Sequence, residues 1–374
     1  MLASQKEKGD PRYFQIIEWL EKPSFDGFSS SDLFIKQFIK QAWGQDIAAL
    51  SNMAELLSAK INKNPDRKCS LKSHFEQIIH RMRHTSVSPY GHDVLSVSNL
   101  NHQGYYLEHL NICLGLYELI YRDGQFAEAH HRVSHYLSIE SLSQSNAHAR
   151  LIPHVKMRWS ADQAAILYSL WLYDKCYDKE LSLEPIARWG HHMNTHMRHS
   201  GTGLFKTEVM GVKRFSNEPR GCAIAYLCHY TKAFAPDIAN EQWRLFKKHF
   251  RINKLGITGF REYREGYKGK WTPDSGPVIA DIGVAASGLA LKTAATMNDA
   301  ETFNSLKRSI KPTLTLFKYL GYMPGIKRLA LIGNDLLASS IYAYAMTNQP
   351  LQENQMNKSE ELLGNTALTG EYND

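Results

Sequence analysis

No stretch of about 18 uncharged apolar residues occurs in the chain, so no membrane-spanning helix is expected. The first residues, MLASQKEKGDPRYF, lack the apolar segment of a secretory signal. Cysteine is scarce: Cys69, Cys113, Cys176, Cys222 and Cys228 are the five in 374 residues, and none forms a CxxC pair. That usage predicts free thiols in a reducing, cytoplasmic setting rather than a disulfide framework. The GxGxxG loop and the P-loop are missing, as are the GxSxG nucleophile elbow and the HExxH zinc motif. No metal and no cofactor is expected. Basic residues do not gather into a stripe, and a net charge of +7 is mild for this length, so nucleic acid is not an expected partner. Clear strand alternation is absent too.

What is present is helix. Segment 31–59 spaces its apolar residues by three and four. Gly44 and Asp46 divide it into two helices, with Asp46 expected to cap the second. Segments 104–121, 161–177, 221–234 and 278–295 are apolar or small-residue on most faces, which predicts buried helices. Segments 124–139, 184–199, 238–250 and 299–319 carry Lys, Arg, His and Glu on one face, which predicts outer helices.

The buried helices recur. Their expected starts at Asp46, Gln103, Asp162, Arg220, Gly276 and Asp335 are separated by 57, 59, 58, 56 and 59 residues. A steady period of one buried and one amphipathic helix is the mark of stacked helical hairpins. An open stack needs polar capping repeats, and none is evident. The expectation is an all-α, (α/α)6 toroid: six hairpins closed into a ring, forming one domain over residues 1–350, with a polar tail at 351–374. Loops before the buried helices are long and polar, at 84–103, 141–160, 200–220 and 253–276, whereas the opposite connections are short. Long loops at one end of a rigid scaffold are where functional groups gather.

Four constellations stand at those helix starts. Asn99 to Tyr106 holds His102 and Tyr105. Arg158 to Gln163 holds Trp159, with Ser160 as the expected N-cap and Asp162 either a dipole-favoured first-turn acid or a pocket carboxylate. Asn217 to Cys222 places Pro219 in a first turn and Arg220 ahead of a buried helix, so Arg220 needs a carboxylate partner. The densest cluster joins Glu262, Tyr263, Tyr267, Trp271 and Asp274. His192 and His196 have metal-compatible spacing, but no acidic companion fits a zinc motif, and a solvated outer face is the expectation.

The stretches WSADQAAILYSLWLYDK (159–175), NEPRGCAIAYLCHY (217–230), GITGFREYREG (256–266) and DSGPVIADIGVAASGLALKTA (274–294) resemble the linalool dehydratase/isomerase-like family. The likeness spans roughly residues 90–300 and implies an (α/α)6 barrel. It also implies cofactor-free dehydration or isomerisation of a small alcohol by cysteine, histidine, tyrosine and aspartate groups, and it allows a homo-oligomer. Cys222 is the one cysteine at a matching motif.

Two enzymatic readings follow, each with a small neutral molecule as partner. A lyase or isomerase would act on a terpenoid-like alcohol with Asp162, Glu262 and Asp274 as acid and base, and His102, Tyr263 and Cys222 as alternatives. Tyr105, Trp159, Arg220, Tyr263, Tyr267 and Trp271 would contact the substrate. A glycoside hydrolase would set paired carboxylates against aromatic loops. A third reading, a non-catalytic binding protein, would pair these polar groups off as structural ion pairs.

Overall fold

A computed structural model describes residues 43–153, 158–210, 218–254, 256–267, 269, 275–320 and 336–350. The expected buried segments form inner helices: α1 (Trp43–Lys63), α3 (Gly104–Tyr121), α5 (Ser160–Tyr177), α7 (Gly221–Phe234), α9 (Val284–Thr296) and α11 (Leu336–Thr347). Between them run α2 (Lys68–Arg83), α4 (Ala127–Leu142), α6 (Leu183–His196), α8 (Pro236–Phe250) and α10 (Ala300–Leu320). Each inner helix packs on the next, and α11 packs on both α9 and α1, so the ring closes. The fold is an all-α toroid. The tail at 351–374 lies outside the described residues.

Local chemistry explains the alternation. α3 buries nearly its whole circumference, as a helix apolar all round must. α8 is two-faced: Pro236 opens it, Asp237 sits in its first turn, and Lys247, Lys248 and His249 close it, all matched to the helix dipole. Its other face buries Trp243, Phe246 and Phe250. Sharp inner-to-outer turns follow α3 and α5, where Arg122 and Asp178 adopt left-handed backbone and their N–H groups close on Glu118 and Asp174. No described helix is long and apolar enough to cross a membrane.

Four expectations shift. Asp46 lies in the first turn of α1 rather than at a cap. Ser160 is the first residue of α5, not its cap; its hydroxyl donates to the Lys206 carbonyl. Pro219 precedes α7 rather than entering it, because Arg220 is the flanking residue with extended backbone. The fifth inner helix starts at Val284, later than Gly276, because the β-branched run Val278–Ile282 makes a hairpin first. There β5 (Val278–Ile279) pairs antiparallel with β6 (Ile282–Gly283) across Ala280 and Asp281, both at positive φ. Two other short ladders occur: β1 (Arg158–Trp159) with β2 (Glu208–Met210), and β3 (Arg251–Lys254) with β4 (Ile257–Phe260).

Candidate active site

The mouth of the ring is built from helix starts and the loops beside them. The first N–H groups of an α-helix have no partner within it. Here the loop of the next hairpin supplies one: Gly104 donates to the Arg150 carbonyl at 3.0 Å, Ser160 to Thr207 at 3.0 Å, and Gly221 to Glu262 at 2.8 Å. Two of these contacts require glycine. A Cβ on Gly104 would lie 2.4 Å from the Arg150 oxygen, and one on Gly221 would lie 2.1 Å from the Arg261 oxygen. Three of the inner helices, α3, α5 and α7, are thereby tied at the same end of the ring.

At the start of α7 three sequence-predicted residues meet. Arg220 Nε donates to Glu262 Oε1 at 2.9 Å. The Cys222 N–H donates to Glu262 Oε2 at 3.2 Å, and its thiol donates to Oε1 at 3.1 Å. The Arg220 guanidinium lies 6.0 Å from the Tyr263 ring centre, and Tyr267 packs against Tyr263 at 5.5 Å. Arg220 thus finds the carboxylate that its burial demands. Glu262 is buried and already bonded by both neighbours, so this knot ties the start of α7 to the loop after β4.

A second buried carboxyl is Glu108, in the second turn of α3. It is 0 % exposed. Tyr226 of α7 donates to its Oε1 at 3.1 Å, and its Oε2 has no partner among the described residues. Burial pushes its acidity constant well up, and the negative charge of Asp162 on α5 pushes the same way; the Tyr226 bond opposes them. Burial and the Asp162 charge both favour the protonated form of Glu108, and Oε2 is the oxygen without a partner among the described residues.

His109 follows at 1 % exposure, with neither ring nitrogen bonded among the described residues. Burial lowers it to about 3, with Lys292 adding to the fall and Glu55 opposing it. Its Nε2 stands 3.7 Å from Glu108 Oε1, but a neutral imidazole facing a protonated carboxyl is not an ion pair. The rings of Tyr105 and Tyr226 stand edge-on to His109, with centroids 4.9 and 6.5 Å away. Tyr226, though deep in the ring, stays partly accessible, as does Tyr105 at the mouth.

A second polar layer lies deeper. Glu55 of α1 accepts from Lys292 Nζ of α9 at 2.8 Å and from the Tyr230 hydroxyl of α7 at 2.8 Å, and its other oxygen meets His229 Nε2 of α7 at 2.7 Å. Lys292 also donates to Asn52 at 2.7 Å, and His229 Nδ1 meets the Thr296 hydroxyl at 2.7 Å. Burial raises Glu55, but Lys292 and His229 outweigh it and hold the carboxyl at about 2. Burial lowers His229 to about 4 and also lowers Lys292, the latter against the pull of Glu55. Glu55 stays ionised, with Lys292 as its counter-ion.

The structure thus gathers Asp162 and Tyr105 around Glu108, and separately joins Arg220, Cys222, Glu262, Tyr263 and Tyr267. His102 is drawn aside: its Nδ1 meets Glu140 of the outer helix α4 at 3.0 Å, and its N–H donates to the Tyr136 hydroxyl at 2.8 Å. Trp159 lies on β1 at the mouth, and its buried indole nitrogen has no partner among the described residues. Trp271 and Asp274 lie outside the described residues. Glu108, His109, Glu55, Lys292 and His229 were not singled out by sequence. The signal available was a titratable group inside an otherwise apolar helix, as in YYLEHLNICLG and GLALKTAAT. Among the described residues no cluster of three or more His, Cys, Asp or Glu could hold a metal ion.

No family model and no curated protein matches the chain. Among the solved structures that resemble it are two glycoside hydrolases. One is a family 76 glycoside hydrolase from a bovine Bacteroides thetaiotaomicron strain: 13% identity, TM-score 0.54, covering 82% of this chain and 68% of that one. The other is a family 76 glycoside hydrolase (mannosidase) from Bacteroides thetaiotaomicron VPI-5482: 11% identity, TM-score 0.52, covering 84% and 88%. At such identity the likeness is one of fold. It supports the toroid and not the linalool dehydratase/isomerase-like family in particular.

Proposed function

We propose that the chain is a glycoside hydrolase, with Glu108 as general acid and Asp162 as its anionic partner. The observation that carries this reading is unmet hydrogen-bonding capacity. Glu108 Oε2 and both nitrogens of His109 are buried and unbonded among the described residues. Each such atom costs about 1–3 kcal/mol if left unpaired. The single hydroxyl of a small alcohol could meet only part of this capacity, whereas the several hydroxyls of a sugar can meet all of it. The surrounding rings of Tyr105 and Tyr226 offer faces for the apolar side of a pyranose. That both similar folds carry glycoside hydrolases, one of them a mannosidase, makes mannosides the first substrates to try.

In the proposed reaction Glu108 gives its proton to the glycosidic oxygen as the bond to the anomeric carbon breaks. Water supplies hydroxide to that carbon, and its remaining proton passes to Asp162. If Asp162 instead attacks the carbon directly, a glycosyl ester forms and water then cleaves it, with Glu108 taking the proton back. Both routes consume one water; the covalent route leaves both carboxyls as they began, whereas in the direct route the proton gained by Asp162 must pass through solvent back to Glu108 before the next turnover. Arg220, Glu262 and Cys222 hold the start of α7, and so place Tyr226 against Glu108.

The test is hydrolysis of manno-, gluco-, galacto- and xylo-oligosaccharides by the wild type and by Glu108→Gln. Loss of a general acid costs about 10²–10⁴ in rate. Equal rates in the two proteins would remove Glu108 from the chemistry, and no hydrolysis of any glycan would remove the reading. Release of an alkene from a small alcohol would instead favour the dehydratase reading, which the full enclosure of Glu108 also suits.

A further inference from the structure

We infer that His131 and His135 of the outer helix α4 and Tyr173 of the inner helix α5 form a binding site for a divalent late-transition metal ion, copper or zinc. The site stands apart from the proposed hydrolytic chemistry, and an ion in it ties α4 to α5.

The first support is a shared oxygen. The Tyr173 hydroxyl lies 3.0 Å from His131 Nδ1 and 3.4 Å from His135 Nε2. Without an ion it bridges the two rings, donating to one nitrogen and accepting from the other. Ligands about 2.0–2.1 Å from a tetrahedral zinc ion stand about 3.3–3.4 Å from one another. The two separations around the Tyr173 oxygen are close to that edge length, so the three donor atoms are already spaced as neighbouring ligands.

The second is position on the helix. His131 and His135 are four residues apart, which sets both rings on one face of α4. That spacing alone does not single the pair out, because His192 and His196 share it. There His192 Nε2 has no partner among the described residues. At α4 a third donor faces both rings, and it is a phenol, a ligand type outside the His, Cys, Asp and Glu clusters considered above.

The third is access and donor chemistry. Tyr173 is 3 % exposed, and both imidazoles stand edge-on to its ring, with centroids 5.5 and 5.8 Å away, so the oxygen is held in place. His135 is exposed and His131 half-buried, which gives an ion a path from solvent and leaves a further position for water. Imidazole nitrogen suits copper and zinc. Burial raises the acidity constant of Tyr173, and the charge of Asp174 adds to the rise. The phenol is therefore protonated before the ion arrives. Binding forms a metal–phenolate bond and expels that one proton to solvent; no electron moves.

The experiment titrates copper(II) and zinc salts into the full chain, stripped beforehand with a chelator, by calorimetry in two buffers of different ionisation enthalpy. The inference predicts that each bound ion releases one proton more from the wild type than from Tyr173→Phe. It also predicts a visible phenolate-to-copper charge-transfer band that Tyr173→Phe lacks. His131→Gln and His135→Gln should each weaken binding at least about tenfold, since even residues that only support a ligand are worth about 10–100-fold. These two positions are accessible, so they decide the matter if Tyr173→Phe does not fold. His196→Gln should leave the band unchanged. Affinity equal to the wild type in both histidine variants would show binding at other surface histidines only, and would overturn the site. Binding that needs the histidines but is the same in Tyr173→Phe, with no band and no extra proton, would overturn the three-ligand arrangement.

Discussion

Lys292→Met probes the layer that crosses the ring. The substitution keeps a long apolar stem and deletes the cation that bonds Glu55 and Asn52. Glu55 is then left fully buried with only His229, held neutral, and the Tyr230 hydroxyl. Breaking a buried pair from one side costs about 3–5 kcal/mol, because an uncompensated charge remains. At about 1–1.5 °C per kcal/mol for a chain of this length, the unfolding midpoint should fall by roughly 5 °C. The pH dependence should also change sign. In the native ring Glu55 is held at about 2 against an ordinary 4.5. That depression contributes about 3 kcal/mol, present above pH 4.5 and lost as pH falls toward 2. Without Lys292, burial dominates and lifts the carboxyl above its ordinary value, so the variant loses stability as pH rises through the new pKa. Thermal and urea unfolding at mildly acidic and neutral pH reads both effects. Glu55→Gln with Lys292→Met removes both charges and should regain much of the loss. A single variant as stable as the wild type, or a double variant no better than the single, would refute the cross-brace as described.

Three further outcomes are expected. Tyr226→Phe removes a bond that favours the ionised form of Glu108, so the alkaline limb of the pH–rate profile should move to higher pH. Asp162→Asn removes the like charge that holds the proton on Glu108, so the limb of whatever activity remains should move to lower pH, measured on the same substrate. Gly221→Ala drives a methyl to within 2.1 Å of the Arg261 carbonyl, and equilibrium unfolding should show a loss of about 2 kcal/mol or more.

The toroid could be seen in the sequence because its signal is repetitive. Helices such as 104–121 and 221–234 are apolar on nearly every face, and only an inner position in a double ring suits them at such regular spacing. The need of Arg220 for a carboxylate was also legible, and Glu262 meets it. Glu108 and His109 were not, for a physical reason: a helix buried all round has no hydrophobic face from which to judge which side chains point to the centre and which to the outer ring. The polar loops carry the conspicuous clusters instead, and His102 there faces Glu140 on an outer helix. The hairpin ahead of α9 was hidden because Val278, Ile279 and Ile282 match an apolar helix as well as a short strand.

Retention of a proton by Glu108 at neutral pH is what its proposed role as general acid requires most directly. Infrared difference spectroscopy of the wild type against Glu108→Gln reads this without any substrate. The prediction is a protonated-carboxyl band at neutral pH that is present in the wild type, missing in the variant, and lost from the wild type only at alkaline pH. A carboxylate band at neutral pH in its place would contradict the account.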